Sequence, residues 1–424
     1  MNIFDELAWR GLIHQTTDDA RLPGWLAERP RTLYAGFDPT ADSLHVGHLV
    51  PLVMLRRFQQ AGHRPIAIVG GATGMIGDPT GKSEERNLLS VDVLRSNVAS
   101  IERQMRRFLD FDTAGGAMLV NNYDWIAPFG YLDFLRDVGK NFPINVMLAK
   151  DSVKGRLERS DAGLSYTEFS YMLLQAYDFV YLNKQYGCEL QVGGSDQWGN
   201  ITAGIDLARR MRSVQLYGIT CPLLTKADGS KMGKTESGAL WLSAERTSPF
   251  HFYQYWINVD DADCGKCLRF FTDLDRAELE ALEQTIVANP GAREAQRRLA
   301  EEITRLVHGD EGLSKAQRAS QVLFGAEIDR LSDRELNDIF ADVPSHELAR
   351  AVLEPGLGMI DALVKSGLVK SNSEARRTIE QGGAYVNNRR VATVDRQLTT
   401  ADLASETVLV LRTGKKKYAL LRFR

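Results

Sequence analysis

Cysteine is scarce: four in 424 residues is too few for a disulfide framework and fits a reducing compartment. The close pair Cys264-Gly-Lys-Cys267 has no second Cys pair or nearby His to complete a zinc set, so two thiols packed beside Phe270 and Phe271 on a helix is the plainer expectation. Long apolar runs are missing as well. Nowhere is there a stretch of membrane-spanning length, and Met1 to Arg10 carries acidic residues without the apolar centre of a signal peptide. A soluble, cytoplasmic protein with no membrane partner is expected. The dinucleotide pattern G-x-G-x-x-G is absent, which argues against a dehydrogenase. Two stretches come close to a phosphate-cradling P-loop and fail on spacing. Gly77-Asp-Pro-Thr-Gly81-Lys82-Ser83 has Ile76 where the first glycine is required, and Gly229-Ser-Lys-Met-Gly233-Lys234-Thr235 has three residues between its glycines instead of four. Such a loop wraps phosphate through backbone geometry that depends on its length, so neither is a good ATPase signal.

What is present is globular: 44% hydrophobic, 25% charged, with no low-complexity tract. A chain this long exceeds one ordinary core, so two or three domains are expected. The net charge of −3 hides an asymmetry. Residues 361–424 hold 13 Lys and Arg against 6 Asp and Glu, a balance of +7, and the preceding 360 residues hold 39 against 49, a balance of −10. A compact basic segment on an acidic body suits a polyanion-binding module better than a solvated tail, because the segment is patterned like a folded domain.

From Leu33 to about Leu223 strand-like runs alternate with amphipathic helices, and the runs Pro65–Gly71 and Glu189–Gly194 end in glycine as buried strands of a parallel sheet do. The pattern predicts an α/β catalytic domain with a doubly wound, Rossmann-like parallel sheet over 1–223. The lysine loop and an α-helical domain are expected over 224–343, a linker over 344–360, and a small α+β domain over 361–424. In the last, Asp361 to Val369 and Ser373 to Gln381 read as short helices, and Ala384 to Val391 as a strand and turn.

His45-Val-Gly47-His48 opens an apolar helical stretch directly after the strand-like run Leu33–Phe37. Imidazoles at i and i+3 share one face of the first helical turn, and the intervening glycine lets a ligand approach the backbone. Helix N-termini favour phosphate, so the two rings can add donors to a charged phosphoryl transition state. Further on, Lys231-Met-Gly-Lys234-Thr carries two ammonium groups on a glycine-containing loop. In this order the two motifs resemble the HIGH and KMSKS signatures of class I aminoacyl-tRNA synthetases. Between them, Tyr171, Gln175 and Asp178 fall at i, i+4 and i+7 among Met172, Leu173, Leu174 and Phe179. A polar face embedded in apolar neighbours needs partners, which either the protein itself or a ligand ammonium and hydroxyl can supply. Gly193-Gly-Ser-Asp196-Gln197-Trp-Gly-Asn200 follows as a strand-to-helix loop, with the helix expected near Ile201 and Asp196 suited to ribose hydroxyls.

Taken with Tyr34-x-Gly-Phe-Asp-Pro-Thr-x-x-Ser-Leu-His-x-Gly-His and Gly-Gly-Ala-Thr-Gly-x-Ile-Gly-Asp-Pro (70–79), these motifs make the chain similar, end to end, to the bacterial tyrosyl members of that family. The resemblance implies L-tyrosine, ATP accompanied by Mg²⁺, and tRNA(Tyr) as partners, a homodimer, and an S4-like RNA-binding domain at the C-terminus. It implies that Tyr34 and Asp178 bind the phenol, that Asp78, Tyr171 and Gln175 hold the ammonium, and that Gln197 lies beside the carboxylate. Asp38, Gly47, Gly194 and Asp196 would surround the nucleotide. Thr40, His45 and His48 would contact phosphates, and Lys82, Arg86, Lys231 and Lys234 the leaving pyrophosphate. Lys370, Arg376, Arg377, Arg389 and Arg390 would form the RNA-binding face, with Lys415-Lys416-Lys417 either joining it or forming a solvated turn. Ala35 and Pro51 stand where relatives often carry Cys and sometimes Thr, which bears on ATP contacts. Two rivals remain: a non-synthetase nucleotidyltransferase, which generally lacks the tail and the lysine loop, and an RNA-binding protein on an inactive body, which would be expected to lose the histidines or lysines.

Overall fold

A computed structural model describes residues 2–78, 89–150, 153–154, 164–235, 238–328, 331–341, 343–414 and 417–424. The chain forms two compact units, Met1–Thr247 with Trp256–Val307, and Ser248–Tyr255 with His308–Arg424.

The first unit is built on a six-stranded sheet of β1 (Gln15–Thr16), β2 (Thr32–Phe37), β3 (Arg64–Val69), β4 (Met118–Asn121), β5 (Cys188–Gly194) and β6 (Tyr217–Cys221), in the order β1-β6-β5-β2-β3-β4. All neighbours are parallel except β1 with β6. The chain leaves β2 toward β3 and β4, then returns to build β5 and β6 on the other side. That reversal opens a crevice at the carboxyl ends of β2 and β5, where open α/β sheets bind ligands. The helices of this unit include α1 (Ile3–Trp9), α2 (Leu49–Gln60), α3 (Tyr166–Tyr186), α4 (Trp198–Arg212) and α5 (Asp261–Phe271). Helix α3 starts where the Ser165 side chain accepts from the Glu168 amide at 3.2 Å, and stops at Gly187, whose φ of 64° only glycine adopts without strain. Its face with Phe179, Val180 and Leu182 packs with Tyr34, Ile66 and Ile68 of the sheet and Leu207 of α4 in one buried cluster.

The second unit holds a five-stranded sheet of Ser345–Leu348, Ala384–Val386, Arg389–Arg390, Val408–Thr413 and Lys417–Phe423, with helices Met359–Lys365 and Asn372–Glu380 packed on it through Leu363, Ala375 and Ile379. The hairpin Ala384–Arg390 turns on Asn387 and Asn388, both at positive φ (48° and 63°), and Asn388 Nδ2 donates to the carbonyls of Val322 and Ala326 at 2.9 and 2.7 Å. The segment 344–360 differs from the expected linker. Ser345–Leu348 pairs in parallel with Leu420–Phe423 in the C-terminal sheet, and Leu357–Gly358 pairs with Gln397–Leu398 in a separate two-stranded one. The expected helical domain also divides: helix Glu294–Leu323 is interrupted at Gly309 (φ 73°), next to the boundary between the units after Val307. A four-residue strand without an apolar run, paired with a partner some 75 positions away, leaves no local periodicity to read.

Candidate active site

The histidine motif sits where the Rossmann-like pattern places it. Val46–His48 forms a 3-10 turn that runs directly into α2. The ring centroids lie 4.0 Å apart with the planes tilted by 34°, and the rings cap the turn themselves: His45 Nδ1 accepts from the Gly47 amide at 3.0 Å, and His48 Nδ1 accepts from the His45 amide at 3.2 Å. A nitrogen that accepts from an amide carries no proton, so the ring proton resides on Nε2 in both. Gly47 has a reason beyond ligand approach. A Cβ there would lie 2.8 Å from His45 Cε1, so a larger residue would displace the ring that caps the turn.

The lysine loop meets the histidine motif through main-chain bonds. Thr225 bridges Lys231 across the loop, the Leu240 amide donates to the Gly233 carbonyl at 2.7 Å, and the Val46 amide donates to the Leu240 carbonyl at 3.0 Å. His45 bridges Trp241. Gly233 has φ 82°, and a Cβ there would stand 3.2 Å from Val46 Cβ, which accounts for glycine where the generic motif has serine. Lys231 and Lys234 are both exposed, and Lys231 lies close enough to Asp196 to offset part of the rise that burial and Asp78 impose on the Asp196 carboxyl.

At the carboxyl ends of β2 and β3 a polar chain crosses the crevice. Asp38 accepts from the hydroxyls of Tyr171 (2.9 Å) and Thr73 (2.7 Å), and Asn122 Nδ2 donates both to Thr73 Oγ1 (3.0 Å) and to Asp178 (3.1 Å). Trp125 Nε1 donates to the other Asp178 oxygen at 2.8 Å. Burial raises the Asp178 carboxyl to about 7 against the pull of these two donors. Burial likewise raises the hydroxyls of Tyr34 and Tyr171, helped by Asp178 at the first and by Asp38 and Asp78 at the second, so both remain neutral. On the other side, Gln197 donates to Asp78 at 2.9 Å and accepts from Gln175 at 3.2 Å and Asn200 at 3.1 Å.

Two atoms of this pocket stand out. Tyr34 Oη and Gln175 Oε1 are buried and have no hydrogen-bond partner among the described residues. A buried polar atom left this way costs free energy on the order of 1–3 kcal/mol, so a hydroxyl beside a carboxylate at one end and a bare amide oxygen at the other mark a space shaped for a ligand with complementary groups.

The structure therefore brings Tyr34, Asp38, Asp78, Tyr171, Gln175, Asp178 and Gln197 together around one crevice, with the backbone linking His45, His48, Lys231 and Lys234 beside one another. Asp38, expected near the nucleotide, has its carboxylate held by the hydroxyls of Tyr171 and Thr73. Thr40 is exposed at the end of β2, and Gly194 and Asp196 lie at the end of β5. Helix α4 starts at Trp198, earlier than the expected Ile201, because Ser195–Gln197 forms a 3-10 turn. Ala35 is buried on β2 and Pro51 lies in the first turn of α2. Lys82 and Arg86 lie outside the described residues, as do Lys415 and Lys416. Sequence reasoning missed Asn122 and Trp125. Nothing local marks them, since they reach Asp178 across 56 and 53 positions of chain. Cys264 and Cys267 are free, buried thiols on α5, and no three-residue His, Cys, Asp or Glu group suited to a metal occurs among the described residues.

In the second unit Arg376, Arg377 and Glu380 line a cleft of about 540 Å³ with Asp361 and Gln397. Lys370, Arg376, Arg377, Arg389 and Arg390 are all exposed, and Arg389 pairs with Glu327 at 3.1 Å.

Residues 26–325 match the family model of tRNA synthetases class I (W and Y), and residues 335–421 that of the tyrosine–tRNA ligase SYY-like C-terminal domain. The tyrosine–tRNA ligase of Rhodopirellula baltica is 59% identical, covering 99% of this chain and 96% of its own. That of Geobacillus stearothermophilus is 51% identical over the whole of both chains. Among solved structures, a C-terminally truncated mitochondrial tyrosyl-tRNA synthetase of Aspergillus nidulans superposes with a TM-score of 0.69 at 32% identity, covering 76% of this chain and 94% of that one. A tyrosyl-tRNA synthetase of Archaeoglobus fulgidus complexed with L-tyrosine has the same fold, with a TM-score of 0.54 at 16% identity over 74% of this chain and 99% of that one.

Proposed function

The chain belongs to the class I tRNA synthetases of the tryptophan and tyrosine family, in the bacterial tyrosyl branch, and from that membership we propose how its residues divide the work of joining tyrosine to tRNA. The reaction uses ATP: tyrosine is activated to tyrosyl-adenylate with release of pyrophosphate, then passed to the 3′ end of tRNA(Tyr). The observation that carries the assignment is the pair of orphaned atoms. The phenol of the substrate donates to the Asp178 carboxylate and accepts from Tyr34 Oη, and its ammonium donates to Gln175 Oε1, with Tyr171 and Asp78 alongside. Phenylalanine would leave Tyr34 Oη unpaired and would bring no phenol donor to Asp178, which keeps only Asn122 and Trp125, so both bonds to the substrate hydroxyl are lost. Gln197, anchored on Asp78, lies beside the carboxylate.

A carboxylate is already a nucleophile at neutral pH, so attack on the α-phosphorus of ATP needs no general base. It needs orientation and a sink for charge on the phosphoryl oxygens. His45 and His48 supply Nε2–H donors to the phosphates with Thr40, and Asp38, Gly47, Gly194 and Asp196 frame the nucleotide. Lys231 and Lys234, joined by Lys82 and Arg86, meet the departing pyrophosphate, where contacts formed mainly in the transition state raise turnover and not affinity. Mg²⁺ arrives as part of the ATP substrate.

The basic residues Lys370, Arg376, Arg377, Arg389 and Arg390 bind the tRNA backbone; the +7 balance of residues 361–424 supports this. A homodimer is supported by the exposed large apolar residues Tyr131 (64%), Leu132 (77%), Ile144 (59%) and Tyr166 (62%), of which Tyr166 and Tyr131 meet through their hydroxyls. Free buried thiols agree with a cytoplasmic setting. The testing experiment is exchange of labelled pyrophosphate into ATP with each amino acid in turn. Tyrosine alone should support it, and exchange with a different amino acid, or none with tyrosine, overturns the reading.

A further inference from the structure

One helix is tied to both signature motifs. On one side, α5 holds the lysine loop: Lys266 Nζ donates to the Thr225 carbonyl, at the loop's entry, and lies 3.3 Å from Asp263 Oδ1. Cys267 Sγ lies 3.6 Å from Met232 Sδ, and Met232, buried to 6% exposure, lies between the exposed Lys231 and Lys234. Thr225 bridges Lys231, and the Met232 amide donates to the Leu224 carbonyl at 3.1 Å, so both strands of the loop rest on this helix. Burial raises the Cys267 thiol, which stays neutral and makes a soft contact with the thioether.

On the other side, α5 is fixed to the helix that starts at the histidines. Arg57 of α2 donates to the Thr272 carbonyl at 2.6 Å, and Arg10, following α1, donates to the carbonyls of Arg269, Thr272 and Leu274 at 3.0, 3.1 and 2.7 Å. The carbonyls of Arg269 and Thr272 belong to the helix C-terminus and that of Leu274 follows it, and two buried guanidinium groups on this end favour one position of the helix. The position of α5 is thus set by the same body that carries His45 and His48, and the loop is set by α5.

We propose that Lys266 and Cys267 are positioning residues for adenylate formation, seating the lysine loop so that Lys231 and Lys234 stand at the leaving pyrophosphate. Neither touches substrate. Met232 acts as a plug under the loop, with Cys267 as its socket, and the Lys266 ammonium fixes where the loop begins. This rests on the assignment of Lys231 and Lys234 to pyrophosphate.

The test is single-turnover formation of tyrosyl-adenylate by the full chain, with tyrosine affinity measured in parallel. Lys266→Met and Cys267→Ala should each slow adenylate formation by about tenfold or more, because small misplacements of a transition-state contact carry large kinetic costs. Tyrosine affinity should be unchanged, and Lys266→Arg should restore most of the rate. Hydrogen exchange at the Met232 and Lys226 amides should quicken in Lys266→Met and Cys267→Ala without change in the strands of the sheet. Unaltered rates in both, or a loss of tyrosine affinity that matches the loss of rate, overturns the proposal. Lys234→Ala separates the two levels. If it fails to slow the reaction, the assignment of the lysines falls; if it does slow it while Lys266→Met and Cys267→Ala do not, only the positioning role falls.

Discussion

Replacing Tyr34 by phenylalanine should affect the empty and the loaded protein in opposite directions. In the empty protein, Tyr34 is 1% exposed and its Oη has no partner among the described residues, so the hydroxyl is a burden on the fold. The ring keeps its edge contact with Phe179 at 5.1 Å in the variant, and only the oxygen is lost. Unfolding free energy should therefore stay level or rise by about 1 kcal/mol. In the loaded protein the same oxygen donates to the substrate phenol. Losing one neutral hydrogen bond should weaken tyrosine binding by about 1 kcal/mol, a factor of about five, with little change for phenylalanine. Urea denaturation without ligand, and pyrophosphate exchange with tyrosine and with phenylalanine, measure the two effects. A variant destabilised by more than about 1 kcal/mol would mean that the hydroxyl already has a structural partner. An unchanged preference for tyrosine over phenylalanine would remove Tyr34 from the phenol site.

Asp178 gives a pH signature. Its carboxyl, raised by burial to about 7 from 3.8, is ionised above that value, and accepting a phenol hydrogen bond favours the ionised form; tyrosine affinity by calorimetry should thus rise through about pH 7 and level off above it, with Asp178→Asn flat. Because the folded value is above the unfolded one, the unfolded chain ionises first. The wild type therefore loses stability relative to Asp178→Asn as pH rises from about 4 to 7 and no further above, which denaturation at each pH checks. His48→Ala and Lys234→Ala should slow adenylate formation by about 10²-fold per donor while leaving tyrosine affinity nearly intact, as rapid quench would read; lost tyrosine binding with unchanged chemistry would contradict their roles. Arg376→Glu with Arg377→Glu, both on an exposed face, should weaken tRNA binding and lessen its salt dependence while pyrophosphate exchange is unaffected; equal tRNA affinity would move the RNA contact elsewhere.

Much of the crevice was legible because its residues lie in short, patterned segments. The i, i+4, i+7 spacing placed Tyr171, Gln175 and Asp178 on one face of α3, and the i, i+3 spacing set the His45 ring beside that of His48. Strands ending in glycine located β3 and β5, and with them the switch point of the sheet. What escaped was non-local. Asn122 and Trp125 support the Asp178 carboxylate from a different part of the chain, and no spacing rule links them. Asp38 turned out to be the acceptor for Tyr171, a pairing that only the closeness of β2 and α3 creates. The apparent linker became a strand because its hydrogen-bonding partner lies at the end of the chain. A chain ending near Gly358 would consequently leave Ser345–Leu348 without its partner strand and uncover Phe340 and Ile339, which pack with Val408, Val410 and Leu420. Point substitutions in the exposed arginines are the cleaner probe of RNA binding.

The central claim is that the orphaned atoms of the crevice await the two ends of tyrosine, and a crystal structure with L-tyrosine bound tests it most directly. The phenol oxygen should lie within hydrogen-bonding distance of Tyr34 Oη and the Asp178 carboxylate, and the ammonium within the same distance of Gln175 Oε1. Tyrosine bound the other way round, or bound elsewhere with Tyr34 Oη and Gln175 Oε1 still unpaired, would contradict it.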